Sequence, residues 1–186
     1  MFNNLIRSKM QEYIRQAEVF GDMRRAWSQH VWWTREVIIG IAQGLPSTQA
    51  SVDKLLTNPY QMMGVFDGHI SVASSSRLIA LFKTHLSMGG DIVTASKAGD
   101  MQKAQELTQA WYANADDIAR EFGRLGYSEE TVRKMMYDHL RMTLMEASLY
   151  LQGKYTESIA EFDKIQAEAE QMADYFARGI TGNNSL

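Results

Sequence analysis

Apolar residues recur at helical spacing along almost the whole chain, and only two of its 186 residues, Pro46 and Pro59, are prolines. A period of 3.6 puts one face of a segment against a core, whereas a half-buried strand needs strict alternation, which is absent here. The chain is therefore expected to be all-α: an up-down bundle of four long helices plus one or two additional N-terminal helices, in a single domain over residues 1–186. A first amphipathic segment over 1–20 carries Ile6, Met10, Tyr13, Ile14, Ala17 and Phe20 on one side, and either docks on the bundle or runs on into the next helix. The helix over about 22–43 should stop at Gly44-Leu45-Pro46, a glycine-then-proline ending. Ser47-Thr48 offers an N-cap for a short helix, Asn58-Pro59 interrupts or restarts it, and 62–70, with Gly64, Gly68 and His69, reads as a bend.

Long helices are expected over about 71–97, 100–124, 128–152 and 156–178, with Asp100 and Ser128 as N-caps and residues 181–186 as a frayed polar tail. The last of them should bury Ile159, Phe162, Ala169, Met172, Ala173 and Phe176. Short connections at 98–100, 125–128 and 153–155 make successive helices antiparallel neighbours.

Within this pattern three of the four histidines, His30, His85 and His139, are almost evenly spaced along the chain, and each falls inside an apolar stripe. His30 shares its stripe with Met23, Trp27, Thr34, Val37 and Ile41; His85 with Leu78, Leu81, Gly89 and Ile92; His139 with Val132, Met135, Thr143 and Glu146. If the bend reverses the chain, the three histidine helices are parallel. The three rings, and Asn114 on the stripe of Ala104, Leu107, Trp111, Ile118 and Phe122, then lie within two turns of one depth. One polar layer near mid-bundle is the expectation. His69, outside the periodic set, should be exposed and dispensable.

Charge and composition narrow the chemistry. With 19 basic and 22 acidic residues and a net charge of -3, the chain offers no positive field for nucleic acid. It has no cysteine, so disulfides and thiolate-ligated zinc or iron–sulfur centres are excluded, and a metal would need nitrogen and oxygen ligands. No run approaches a membrane span and the first residues lack a signal-peptide core, so the reading is cytoplasmic.

The segments His30-Val31-Trp32-Trp33-Thr34-Arg35-Glu36, Lys97-Ala98-Gly99-Asp100, Trp111-Tyr112-Ala113-Asn114-Ala115-Asp116-Asp117, His139-Leu140-Arg141-Met142-Thr143 and Met172-Ala173-Asp174 carry a resemblance to a family of uncharacterised bacterial helical-bundle proteins, over about residues 25–180. Some members of that family bear the label acetylglutamate kinase. The residues give the label no support, because there is no glycine-rich phosphate loop between a strand and a helix. The chain departs from the family at Gly64-Val65-Phe66-Asp67-Gly68-His69, where relatives look more like an aromatic-glycine bend.

A lone histidine on an apolar stripe is ordinarily a hydrogen-bonded core residue. Three at one depth point instead to a buried site with His30, His85 and His139 as ligands for a transition metal: zinc, iron, copper or nickel. The di-metal bundles use Glu-x-x-His pairs, of which this chain has none, and neither Asp138 nor Glu146 readily joins His139 on one ion. Trp27, Thr34, Asn114 and Thr143 are the candidates for the rest of the pocket. Trp27, with Trp32 and Trp33, could wall a cavity, and the two threonines either orient a ring or bond their own helix. The twelve methionines read as core gap-fillers. The competing reading is a helical interaction or scaffold protein, free or self-associated, whose histidines are structural. A third reading, an enzyme acting on a small molecule beside the tryptophans, has no nucleophile or carboxylate pair to nominate.

Overall fold

The computed structural model describes residues 2–182, and among them the chain forms only helices and turns. The order is α1 (Phe2–Gln43), α2 (Thr48–Leu55), α3 (Asn58–Gly64), α4 (Val72–Lys97), α5 (Met101–Arg124), α6 (Glu129–Leu151) and α7 (Tyr155–Thr181). The two N-terminal segments are one helix of 42 residues, because Gly21 sits in its interior without breaking it.

Local chemistry sets the ends. Ser71, Asp100 and Ser128 each accept a hydrogen bond from the backbone N–H three residues on, which satisfies one of the amides a helix start leaves open. Gly99 and Gly126 take positive φ in the tight connections α4–α5 and α5–α6, a conformation with little cost only for glycine. Ser47 does not cap α2 as expected; Thr48 instead donates to the carbonyl of Leu45. Gly182 closes α7, and residues 183–186 of the expected tail lie outside the described residues.

Cross-helix contacts fix the directions. His85 with Asn114 and Arg77 with Glu121 make α4 and α5 antiparallel, and Asp116 with Arg133 does the same for α5 and α6. Arg24 bonds Asp174 while Arg35 reaches Ser158, so α1 runs antiparallel to α7. His30 lies beside His139 and Arg35 beside Glu146, so α1 and α6 are parallel. Lys97 donates to the carbonyl of Ile41, which aligns α4 with α1. The three histidine helices thus point one way and α5 and α7 the other.

The main core runs from Met23, Trp27 and Val31 through Phe66, Phe82, Phe122, Met136 and Leu140 to Phe162, Met172 and Phe176. Two expected burials do not hold. Ile159, on the α7 stripe, is exposed, because it lies near the start of the helix, one turn before the core-facing Phe162. Ile6, Met10, Tyr13 and Ile14 are also exposed, since at 1.5 Å per residue α1 is about 63 Å long and outruns neighbours of 23 to 27 residues.

At the other end of the core, Tyr127 bonds the carbonyl of Phe176 and lies flat over Gly179, where a Cβ would stand 2.2 Å from the ring. Replacing Gly179 with alanine should therefore destabilise the fold by about 1–3 kcal/mol despite alanine's better helix propensity. Gly21→Ala, with nothing within 4 Å of the new methyl, should stabilise it by about 0.5–1 kcal/mol. Urea unfolding of the two variants checks both signs, and a stabilised Gly179→Ala protein would contradict the close approach.

Candidate functional site

His30, His85 and His139, 3%, 2% and 3% exposed, line one cavity between α1, α4 and α6, in the parallel arrangement the spacing predicts. The volume open to the centre of a water molecule is about 40 Å³, above the 10–15 Å³ or so that one water needs. Leu86, Val93, Leu144 and Ala147 supply apolar wall, and Gly89 and Gly90 leave the space a side chain would fill. The rings of His30 and His139 are 5.5 Å apart, and His85 comes from α4 stacked on Trp111 at 4.9 Å. No three His, Asp or Glu side chains among the described residues stand at a spacing that surrounds one ion.

Two of the rings are met at Nδ1 by an oxygen-bearing side chain from the helix that follows. His85 Nδ1 lies 2.8 Å from Asn114 Oδ1, and Asn114 donates its amide to the carbonyl of Leu81, so its oxygen is left to accept from the ring. His139 Nδ1 lies 3.0 Å from Glu168 Oε2, an acceptor whenever it is ionised. Asn58 plays the looser part at His30. Its amide donates to Ala26, and it favours the protonated ring, yet neither Asn58 Oδ1 nor His30 Nδ1 completes a hydrogen bond. At His85, with the proton drawn to Nδ1 by the Asn114 oxygen, the lone pair of the neutral ring resides on Nε2.

The remaining polar wall is also spent on the histidines. Thr34 donates to the carbonyl of His30, Thr143 to that of His139, and the Trp111 indole to that of His85. Both threonines line the cavity as expected, but they bond their own helices rather than orient a ring. Asn114 stands behind His85, outside the cavity. Trp27 is not on the wall either: it stacks on Phe176 and turns its edge to His30 and His139. Trp32 is exposed and His69 lies in the turn after α3, also exposed.

Sequence reasoning missed Asn58 and Glu168. Glu168 had a signal, a carboxylate one turn from Ile165 and Met172 on the buried stripe of α7. Asn58 had none, since its position depends on how the α2–α3 region folds back on α1. Among the described residues four buried side-chain atoms lack a partner, Trp27 Nε1, His30 Nδ1, Asn58 Oδ1 and Glu168 Oε1, and all four belong to this cluster. Buried polar atoms are rarely left so, and their grouping sets this cluster apart from the rest of the described core.

Burial governs the protonation of two of the rings. Desolvation pulls His85 down to about 3, against the opposing effect of Asn114, and it holds His30 well below its usual value with help from the neighbouring His139 and His85. Beside the cavity Glu146 pairs with Arg35, yet burial still pushes its carboxyl up to about 7.

Comparison with protein families, with curated proteins and with solved structures gives no match to this chain. The site therefore rests on its own geometry.

A ring whose folded pKa is depressed binds fewer protons folded than unfolded between about 3 and 6.5, so its stabilising contribution is complete above 6.5 and lost as the pH falls below it. Chelator-treated protein should lose stability on acidification from pH 6.5. In His85→Asn the loss should be shallower by up to about 1.4 kcal/mol per pH unit. Parallel stability–pH curves for the two proteins, measured by urea unfolding, would refute the neutral burial of His85.

Proposed function

We propose that this protein binds a transition-metal cation at the Nε2 atoms of His30, His85 and His139. The observation that carries the reading is that most donors around the cavity are already committed. The Nδ1 atoms of His85 and His139 are committed to oxygens, and the hydroxyls of Thr34 and Thr143 and the indole of Trp111 are committed to carbonyls. What faces inward is a set of acceptors in an apolar wall, with two imidazoles held neutral by burial. A Lewis acid that takes three nitrogen lone pairs suits such a wall, and an anion does not. Glu168 and Asn114 supply the outer hydrogen bonds that fix ring tautomer and direction at metal sites generally. Zinc, copper, nickel and iron all accept imidazole, and binding would draw the rings together to nitrogen–metal distances near 2.0–2.1 Å.

A second reading, a scaffold whose histidines are structural, is favoured by one observation: the side chains as they stand do not surround an ion. Calorimetric titration of untagged, chelator-stripped protein with Zn2+, Ni2+ and Cu2+ separates the two. One ion should bind per chain. Alanine at His30, His85 or His139 should weaken it by at least about tenfold, and His69→Ala should leave it unchanged. Failure of the folded wild-type protein to bind any of the ions would leave the scaffold reading standing.

A further inference from the structure

The histidine cavity shares part of its wall with a second, more open groove between α1, α2 and α4. Val37, Leu55, Leu86 and Gly90 line both, so those four residues are the partition between them. On the outer side the groove measures about 300 Å³ to the centre of a water molecule and reaches Ser87, Asp91 and Thr94 on the solvent-facing side of α4. Asp91 is exposed, and it is the one charged side chain among the groove's lining residues. On the inner side no ionisable group but the histidines lines the cavity.

We infer that the cation reaches the three histidines through this groove, with Leu55 and Leu86 as the door and Asp91 as the charge at its mouth; the inference rests on the metal reading above. Two features of the chain make the partition a door rather than a fixed wall. Leu55 belongs to α2, an eight-residue helix that starts without a side-chain cap, and Leu86 is half-buried one residue after His85. A rotamer change at either side chain occurs within nanoseconds to microseconds once neighbours give way, and Gly90 beside them presents no side chain to block it. Asp91, one residue further along, sits where a carboxylate raises the local concentration of a cation and lowers that of an anion. The route therefore selects the same sign of charge as the site it serves. α1 supplies Val37 and α4 supplies Gly90, so two of the histidine helices form the jambs.

The test is the rate of Zn2+ uptake and release by the full-length protein, followed by stopped flow against a fluorescent zinc chelator. Leu55→Ala and Leu86→Ala should speed both uptake and release several-fold, because a door sets the barrier that both directions cross. Gly90→Ala should slow both; its Cβ meets only Ile41 Cδ1, at an ordinary 3.8 Å, so the methyl has room while the passage narrows. Asp91→Asn should slow uptake at low salt and lose that effect at high salt, with no change in release. Circular dichroism confirms folding of each variant, and the Gly90 and Asp91 variants carry the test should an alanine protein fail it. Unchanged rates in all folded variants, with zinc still bound at the histidines, would overturn the route and leave the site intact. A wild-type protein that takes up no zinc would overturn both.

Discussion

An imidazole in a helical core has two nitrogens on opposite edges, and a bundle can readily offer a partner to only one of them. The organisation of this protein follows from that limit. A side chain from α5 meets Nδ1 of His85 and one from α7 meets Nδ1 of His139, each at hydrogen-bonding distance, while α3 brings Asn58 toward His30. These contacts tie the parallel histidine helices to the elements that pack between or behind them. What they leave is one cavity lined by all three rings and by two adjacent glycines of α4. At His85 and His139 one edge of the ring is thus spent on the fold, and only the other is left for a ligand.

Around this layer the usual separation of polar and apolar is reversed. Glu121, at 1% exposure, is buried between Arg77 and Arg124, and Glu146 is buried against Arg35. Leaving such charges unpaired would cost several kcal/mol, so their guanidinium partners are conditions of burial rather than sources of stability. Arg35 and Glu146 lie one to two turns beyond His30 and His139 along the same two helices, so the bundle interior carries two successive polar layers, one of histidines and one an arginine–glutamate pair.

Much of this was legible in the chain. The glycines at 99, 126 and 153 and the caps at Asp100 and Ser128 mark helix ends by chemistry that acts within a few residues, and the bundle's four long helices fall where those signals put them. The inward direction of the three histidines followed from their stripes, and Asn114 from its place between Trp111 and Ile118. What a one-dimensional pattern could not supply was depth beyond the end of the neighbours. Ile6, Met10 and Tyr13 keep a perfect apolar spacing on a stretch of α1 that has nothing to pack against. Nor could it tell which oxygen meets which ring. Thr34 and Thr143 were the expected partners and Asn58 and Glu168 were not considered, although a hydroxyl four residues after a carbonyl has its own helix as the nearest acceptor.

The void at the centre has a mechanical meaning as well. Core cavities cost about 24 cal/mol for each Å³, so the 40 Å³ beside the histidines weakens the folded chain by about 1 kcal/mol relative to a filled interior. Unfolding abolishes that empty space, and hydrostatic pressure favours whichever state occupies less volume. An occupant that fills the cavity would remove part of the volume difference, so the empty and the occupied protein would part company under compression even at a temperature where both are fully folded.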